Sequence, residues 1–373
     1  MGIKVLLLGR SFKLSGGVTN YLELLTQNLD NQKFQVKHFV QGKSSTKWKN
    51  IFLPFIILSQ LIKFKRIVKT YNPDIVHINP SLGWTAIIRD FAFLKIAKKK
   101  RISVLFFIHG WEHTLSNKFK ENGYWKNYFE KRFALADAIV VLANEFKEEL
   151  VKLGIPEERI HVSSTMVESE KYCPENKDFS PPFKILFCAS MQRKKGPYEV
   201  LNAIPFVLEK YPDTKFIFVG EGVELENLKK RCSETELDSN VEFTGYKEGK
   251  EKIKIFKNSH IFAYPSYTEG FPLVILEAMA AGMPLVTTPV GGLADAIEDG
   301  KQGLIIKSMP PNPEEIAEKI IQLIENEELM KKMSENNLRE AKEKYDVKVV
   351  TKNIEKVYEG IRAGWVHPKV ISK

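Results

Sequence analysis

Short apolar runs and longer amphipathic stretches alternate along the first half of the chain. The first run, Ile3–Leu8, is predicted to be a buried strand. After two glycines, apolar residues fall on one face of a 3.6-residue repeat, at Val18, Leu22, Leu25 and Leu29. Further strands are predicted at Val36–Phe39, Ile75–Ile78, Val104–Ile108 and Ala138–Leu142. Helical segments between them indicate a parallel sheet with helices on both faces.

A second series of the same kind occupies the rest of the chain. Its predicted strands are Lys184–Cys188, Lys215–Val219, Val241–Thr244, Ile261–Tyr264, Leu285–Thr288 and Gly303–Ile306. Its predicted helices lie near Pro197–Glu209, Leu225–Arg231, Pro272–Ala280 and Pro313–Asn326, and a helical pattern then runs from about Glu328 to Ile361. Two such series predict an α/β protein with two doubly wound, Rossmann-like domains.

The boundary between the two series is predicted at a proline-rich stretch. Three prolines fall within Cys173–Pro182, and a chain of 373 residues is typical of two domains. We therefore predict a first domain at residues 1–172, a linker at 173–182 and a second domain at 183–345.

The composition is that of a soluble globular protein, with 43% hydrophobic and 27% charged residues. The three cysteines have no metal-ligand spacing, which predicts reduced thiols in a cytoplasmic protein. No apolar stretch reaches the length of about 18–20 residues that a membrane-spanning helix needs. The N-terminal apolar run becomes polar too early for a signal peptide.

The net charge of +10 is unevenly distributed. The first 132 residues contain 23 Lys/Arg and 7 Asp/Glu, whereas the remainder contains 33 and 39. A basic first half attracts polyanions such as an anionic lipid surface, a nucleic acid or a phosphorylated substrate, and a solvated lysine-rich face is the alternative. Because no helix-turn-helix, RNA-binding or zinc signature accompanies the charge, we expect no nucleic-acid partner.

Two basic segments in this half favour an anionic membrane surface. Residues Asn50–Thr70 combine bulky apolar side chains with four cations, and five further cations lie within Lys95–Arg101. This combination is typical of an interfacial segment, although a single helix covering the sheet, with its lysines in water, would show the same pattern. The four cations of the first segment are Lys63, Lys65, Arg66 and Lys69.

In an open parallel sheet, ligands bind where strands end and helices begin. The loop after the predicted strand Ile261–Tyr264 reads Pro-Ser-Tyr-Thr-Glu-Gly-Phe and leads into a helix whose free N–H groups and dipole favour an anion. Glu269 lies just before this helix and Glu277 lies within it, and carboxylates accept paired hydrogen bonds from sugar diols. On spacing alone, a capping Glu269 and an ordinary helical Glu277 fit equally well.

This loop and its surroundings resemble the Glu-x7-Glu signature of the retaining GT-B glycosyltransferases, in particular family 4. The similarity runs from Glu-Gly-Phe-Pro-Leu through Glu-Ala-Met-Ala-Ala-Gly-Met-Pro-Leu-Val to Val290-Gly-Gly. It covers most of the chain and is strongest between Lys184 and Ile306.

The resemblance implies a role for each conserved position of the motif. Glu269 would contact the hydroxyls of the donor sugar, and Glu277 would contact the ribose of the nucleotide. The backbone that lines the sugar and the diphosphate would come from Gly270, Phe271 and Leu273.

A second match to the family follows the predicted strand Lys184–Cys188. The family has Gly-Arg-Leu there and then Lys-Gly, and its Arg and Lys hold the diphosphate. Lys195 matches the Lys, but Ser190 stands at the Arg position. Either Arg193 or Lys194 replaces that Arg, or the diphosphate is held more weakly; Arg193 in an exposed turn is the structural alternative. We include Ser190, Arg193 and Lys195 among the predicted donor contacts, since positive charge there would stabilise the leaving group.

Two positions in the first domain also match the family. Gly16 and Gly17 resemble its glycine-rich loop near the donor phosphate, and His109 resembles its histidine beside the donor sugar. Both features also occur for structural reasons alone. With Glu269 and Lys195, His109 completes the predicted catalytic set. No Asp-x-Asp motif is present, so we expect no metal and no other cofactor.

The resemblance implies a GT-B fold whose two domains face a cleft, with a C-terminal helix within 346–373 packing back on the first domain. It implies retaining transfer of a hexosyl group from a nucleotide-sugar, with UDP as the expected nucleotide. The acceptor would be a glycan or a lipid-linked acceptor in polysaccharide or glycolipid synthesis, with the enzyme peripheral at the inner membrane face. The alternatives are an epimerase or phosphorylase of the same fold, and a non-enzymatic basic binding protein.

Overall fold

The computed structural model of the protein describes residues 2–14, 16–41, 53–120 and 123–364. The chain divides into two compact units. The first unit contains Met1–Ser164 and Val347–Lys373, and the second contains Thr165–Asp346. Each unit is built on one six-stranded parallel sheet.

The change of unit comes earlier than the predicted boundary after residue 172. Residues 165–172 group with the second unit because they bond to it: Ser169 Oγ donates to Asp346 Oδ2 over 2.6 Å, and the Tyr172 hydroxyl donates to Glu277. The last described helix returns to the first unit. Residues 365–373 of the predicted C-terminal segment lie outside the described residues.

The strands of the first sheet pair in the order β2-β1-β3-β4-β5-β6, so the direction of winding reverses between β1 and β3. A reversal of this kind opens a crevice at the carboxyl ends of the two strands. The strands are β1 Ile3–Gly9, β2 Phe34–Val40, β3 Ile75–Ile78, β4 Ser103–Phe107, β5 Ala138–Val141 and β6 Ile160–Val162.

Helices cover both faces of the first sheet. Side chains of α2, α3, α5 and α6 share one hydrophobic core with alternate strand residues such as Leu6, Val76 and Phe106. Helices α1 and α15 pack together, and their Tyr21 and Tyr358 contact Phe107 and His77 on the strands. The helices are α1 Gly17–Asn28, α2 Leu53–Tyr71, α3 Trp84–Lys99, α4 His113–Lys120, α5 Tyr124–Phe133, α6 Asn144–Leu153 and α15 Val347–Arg362.

The second sheet has the strand order β9-β8-β7-β10-β11-β12, with its reversal between β7 and β10. This is the order of dinucleotide-binding folds. Its strands are β7 Lys184–Cys188, β8 Lys215–Val219, β9 Val241–Gly245, β10 Ile261–Tyr264, β11 Leu285–Thr287 and β12 Gly303–Ile305. Its helices are α7 Ser169–Tyr172, α8 Pro197–Lys210, α9 Leu225–Glu234, α10 Gly249–Lys257, α11 Leu273–Ala280, α12 Leu293–Ala296, α13 Pro313–Ile324 and α14 Glu327–Glu343.

The structure confirms the predicted α/β class, and every predicted strand is present with its ends shifted by at most two residues. Strand β6 and helices α7, α10 and α12 were not predicted. Strand β6 and helices α7 and α12 have only three or four residues, which contain too little of a repeat to give a period. Residues 50–52 of the predicted interfacial segment lie outside the described residues, and the rest of it forms α2. Among the described helices, none is both long and apolar enough to cross a membrane.

One fold prediction concerns His77, which is fully buried on β3 with Nδ1 2.6 Å from the Tyr358 hydroxyl. Burial lowers the pKa of His77 to about 3. Between this value and the unfolded value of about 6.5, only the unfolded chain binds the proton, so the free energy of unfolding falls as the pH drops through that window. At pH 5 we expect this histidine alone to reduce the free energy of unfolding by about 2 kcal/mol.

Urea unfolding of wild type and of His77→Gln between pH 7.5 and pH 5 measures the effect, with the exposed His113→Gln as a control. The free energy of unfolding of His77→Gln should fall less steeply with falling pH than that of wild type or of His113→Gln. Identical pH slopes for all three proteins would contradict the assignment.

Candidate active site

The loop with the paired glutamates lies at the winding reversal of the second sheet. Strand β10 ends at Tyr264, and α11 begins at Leu273 with Pro272 as its cap residue, one position later than predicted. Strand β7, the neighbour of β10 across the reversal, leads through Ser190 to the Lys195 turn. The fold therefore brings the two predicted donor segments to the same edge of the sheet.

Glu269 is held through one of its oxygens. Its side chain is only 8% exposed, and Oε1 lies 2.5 Å from Lys195 Nζ, 2.5 Å from the Tyr264 hydroxyl and 2.8 Å from Ser266 Oγ. Burial, and then the charge of Glu269, raises the pKa of Tyr264 well above its usual value, so this phenol stays a donor. Among the described residues, no donor contacts Oε2, so that oxygen can accept a hydrogen bond from a ligand hydroxyl.

The Lys195 side chain reaches Glu269 because two loops pack tightly together. Gly196 has a φ of +80°, and a Cβ on it would lie 2.2 Å from the backbone oxygen of Pro265. The Tyr267 N–H also donates to the carbonyl oxygen of Lys194 over 3.0 Å. A larger residue at 196 would separate the loops, so packing explains the glycine of the Lys-Gly pair.

Glu277 is the more buried of the two carboxylates, with its side chain 6% exposed. The Tyr172 hydroxyl donates to Oε1 over 2.7 Å, and Lys252 Nζ lies 2.7 Å from Oε1 and 2.6 Å from Oε2. Burial lowers the pKa of Lys252, but the charge and hydrogen bond of Glu277, together with the nearby Cys188, outweigh this effect and leave that pKa raised. Apart from the ion pair with Lys252, the buried Oε2 makes no hydrogen bond with a described residue, so a lone pair remains for a ligand.

The start of α11 presents unpaired donors beside these carboxylates. The helix has no side-chain cap, and within the described part of the chain the N–H groups of four residues have no hydrogen-bond acceptor. Unpaired N–H groups at a helix N-terminus form an anion site. The four residues are Gly270, Phe271, Leu273 and Val274.

The remaining predicted contacts near β7 are placed differently. Ser190 is exposed, and its short side chain brings no charge to the site. Arg193 is also exposed: its Nε lies 3.4 Å from Glu224, and its guanidinium stacks over the Tyr198 ring. The structure thus directs Arg193 away from the Lys195–Glu269 pair, and Lys194 is the adjacent exposed cation.

In the first unit, the predicted residues lie at the carboxyl edge next to the winding reversal. His109 follows β4 and its Nε2 is 2.8 Å from Asn79 Oδ1, while the Asn79 amide donates to the carbonyl oxygen of Leu8 at the end of β1. Burial lowers the pKa of His109 to about 3, so the imidazole is neutral at physiological pH. A Cβ on Gly17 would meet nothing within 4 Å, so packing does not require glycine there, whereas the φ of +154° at Gly16 favours glycine by itself.

Five residues of these sites were not predicted from sequence. Most contact a predicted residue from a distant position, as Tyr172 does with Glu277, 105 residues away, and no local pattern encodes such a contact. Three of the five carried a local signal: Asn79 is a polar residue one position after a buried strand, and Tyr264 and Ser266 lie at the start of the predicted donor loop. The five are Asn79, Tyr172, Lys252, Tyr264 and Ser266.

Within the described ranges, one set of side chains has the spacing of metal ligands. The ligating atoms of His113, Glu145 and Glu149 lie within 4.8 Å of one another. This set belongs to α4 and α6 of the first unit, and Glu149 also accepts a hydrogen bond from the Trp111 indole. It is therefore separate from the paired glutamates of the second unit, each of which contacts a lysine.

Two doubly wound sheets and a Glu-x7-Glu loop at the reversal of the second define a GT-B glycosyltransferase. Comparison with known proteins agrees with this class. The profile of glycosyl transferases group 1 matches residues 169–340, and that of glycosyltransferase family 4 matches residues 15–171. The chain belongs to glycosyltransferase family 4, and its activity is the transfer of a glycosyl group.

Individual relatives support the same assignment. The Methanocaldococcus jannaschii glycosyltransferase MJ1069 is 31% identical over 284 residues, which cover 72% of this chain and 70% of the relative. The capsular polysaccharide biosynthesis glycosyltransferase CapM of Staphylococcus aureus is 25% identical over 250 residues, covering 63% and 65%. The fold resembles that of Anabaena HepE, solved with UDP and with UDP-glucose; the UDP complex has a TM-score of 0.75, 17% identity and coverage of 96% and 100%.

Proposed function

We propose that the protein transfers a hexosyl group from a UDP-sugar, with retention of configuration, to a glycan or lipid-linked acceptor. The observation that carries the proposal is the pair of buried carboxylates, Glu269 and Glu277, on either side of unpaired N–H groups at the start of α11. A nucleotide-sugar carries diols at both ends and a diphosphate between them, and this order of groups complements the site.

The proposed contacts follow from the free atoms of the site. Oε2 of Glu277 accepts from a ribose hydroxyl, while Tyr172 and Lys252 hold the carboxylate in place. Oε2 of Glu269 accepts from a hydroxyl of the sugar. The choice of UDP rests on HepE, which binds UDP and UDP-glucose.

In the proposed reaction, the acceptor oxygen attacks the anomeric carbon as the bond from that carbon to the diphosphate oxygen breaks. The diphosphate leaves with the bonding electrons and takes the acceptor proton on the same face of the sugar. Lys195 and the N–H groups of α11 stabilise the negative charge that develops on the leaving oxygen. Because His109 is neutral, it orients a bound sugar by a hydrogen bond and contributes no charge.

We further propose that this positive charge makes a metal ion unnecessary for donor binding. Lys195 contacts Glu269, and its positive charge would act on the diphosphate as well. The acceptor class is proposed from CapM, which is named for capsular polysaccharide biosynthesis.

Calorimetric titration with UDP, GDP and ADP in EDTA buffer tests the donor proposal. We expect UDP to bind at least about tenfold more tightly than GDP or ADP, and Glu277→Gln to weaken UDP binding by a similar factor. Glu251→Gln, an exposed carboxylate on α10, is the matched control and should bind like wild type. NMR analysis of the anomeric proton in the product then determines whether configuration is retained.

Three outcomes would count against parts of the proposal. Absence of nucleotide binding with and without Mg²⁺ would contradict the donor site. Binding that requires Mg²⁺ would contradict metal independence. An inverted anomeric centre in the product would contradict retention.

A further inference from the structure

A histidine and two glutamates from two packed helices of the first unit lie close together. His113 is the first residue of α4, and Glu145 and Glu149 lie on α6, which packs against α4. Residues four positions apart lie on the same side of a helix, so both carboxylates point the same way. The ligating atoms of the three side chains lie within 4.8 Å of one another.

The buried ring of Trp111 fixes the position of this cluster. It stacks on the ring of Phe146 with the centroids 4.7 Å apart, and its indole N–H donates to Glu149 Oε2 over 3.1 Å. Phe146 lies between the two glutamates on α6, and Trp111 lies two residues before His113. One buried contact therefore positions all three groups. Hydrogen bonds to the ligands from outside orient them in the same way in metal sites.

The charges of the cluster favour a cation. Two carboxylates four residues apart on a helix repel each other, and an ion between them removes that repulsion. In the part of the chain that the structure describes, neither the Glu145 carboxylate nor the His113 ring has a hydrogen-bond or ion-pair partner. Glu149 is only 9% exposed, so water screens its attraction for a cation less than at a fully exposed carboxylate.

The three ligand types favour a first-row divalent transition metal. One imidazole nitrogen with two carboxylate oxygens suits Zn²⁺ and its neighbours, whereas Ca²⁺ and Mg²⁺ prefer oxygen ligands. Ligands bound to a tetrahedral Zn²⁺ at about 2.0–2.2 Å lie roughly 3.4 Å from one another. Rotation of the exposed His113 and Glu145 side chains can close the gap from 4.8 Å, while Trp111 holds Glu149 in place.

We infer that His113, Glu145 and Glu149 bind one Zn²⁺ or a similar first-row divalent ion, with water completing its coordination. The ion links α4 to α6 and thereby fixes the segment that begins at His109, four residues before His113. Its role is structural, and the missing Asp-x-Asp motif concerns only the donor site. Because the ion site and the proposed donor site lie in different units, either proposal can fail without the other.

Calorimetric titration of Zn²⁺ into the untagged, metal-free full chain tests the site. A Cys173→Ser background removes the exposed thiol as a competing ligand. We expect one ion per chain, with binding weakened at least about 100-fold by His113→Ala, which removes a ligand, and about tenfold by Trp111→Phe, which removes the N–H that orients Glu149. The matched control is Glu148→Gln, an exposed glutamate of the same helix that pairs with Lys152, and it should bind like its background.

Two further readouts distinguish a built site from loose surface binding. Co²⁺ should give the visible absorption of a four- or five-coordinate ion, and both His113→Ala and Glu145→Gln should abolish it. Saturating Zn²⁺ should raise the thermal midpoint by about 5 °C in the Glu148→Gln control but not in His113→Ala, with both equal in EDTA. The site is overturned if Zn²⁺ does not bind saturably, or if His113→Ala and Glu145→Gln bind it unchanged, which would identify an adventitious ion only.

Discussion

Replacing Lys195 by alanine is expected to lower kcat/KM for glycosyl transfer by about 10²- to 10³-fold, with most of the loss in kcat. Lys195 Nζ contacts Glu269 at the point where we place the sugar–diphosphate bond, so its charge acts mainly when the diphosphate leaves. Donor binding should weaken less, because Glu277 and the N–H groups of α11 remain. Steady-state kinetics with saturating acceptor, together with calorimetric titration of UDP, separates the two effects.

The matched control is Lys210→Ala, an exposed lysine of the same unit that pairs with Glu325 on the surface. Its kinetics should equal those of wild type. Arg193→Ala and Lys194→Ala add a second comparison, since the first of these side chains contacts Glu224 and not Glu269. A Lys195→Ala enzyme with kcat within about threefold of wild type would refute the proposed role of Lys195 at the leaving group.

The second large effect is expected at Glu277 and combines lost binding with lost stability. Glu277→Ala should weaken nucleotide binding by about 10- to 100-fold, because a ribose hydroxyl loses its charged acceptor. It should also lower the free energy of unfolding by about 2–3 kcal/mol, because Lys252 then has no partner for its largely buried charge. We discount the usual cost of breaking a buried ion pair because the Lys252 side chain remains 18% exposed.

A double-mutant cycle with Lys252→Met distinguishes the two losses. In Glu277→Ala/Lys252→Met the unpaired charge is gone, so stability should largely recover while nucleotide binding stays weak. The solvent-exposed pair Lys247–Glu251, at 3.0 Å, is the control, and its double substitution should change neither quantity appreciably. Recovery of nucleotide binding in the double variant would show that Glu277 acts through folding and not through the ligand.

The local sequence was sufficient to locate both sheets and the donor loop. Strands such as Ile75–Ile78 and Ile261–Tyr264 were predicted at their observed bounds, because apolar runs between turn residues require no knowledge of distant residues. The glutamates 269 and 277 follow from one loop and one helix, so their spacing is local too. Sequence also located Lys195 on the turn after β7, because a strand end followed by a helix start defines an edge position.

Other features depended on contacts that only the folded chain creates. Lys252 and Tyr172 contact Glu277 from 25 and 105 residues away, and burial makes those contacts strong by removing the competing water. The sequence did not determine whether Arg193 contacts a ligand or lies in an exposed turn. It also did not determine which face of α2 is exposed. Composition thus determined that the first half is basic, whereas tertiary packing decided which of its side chains are exposed, because exposure depends on which elements cover one another.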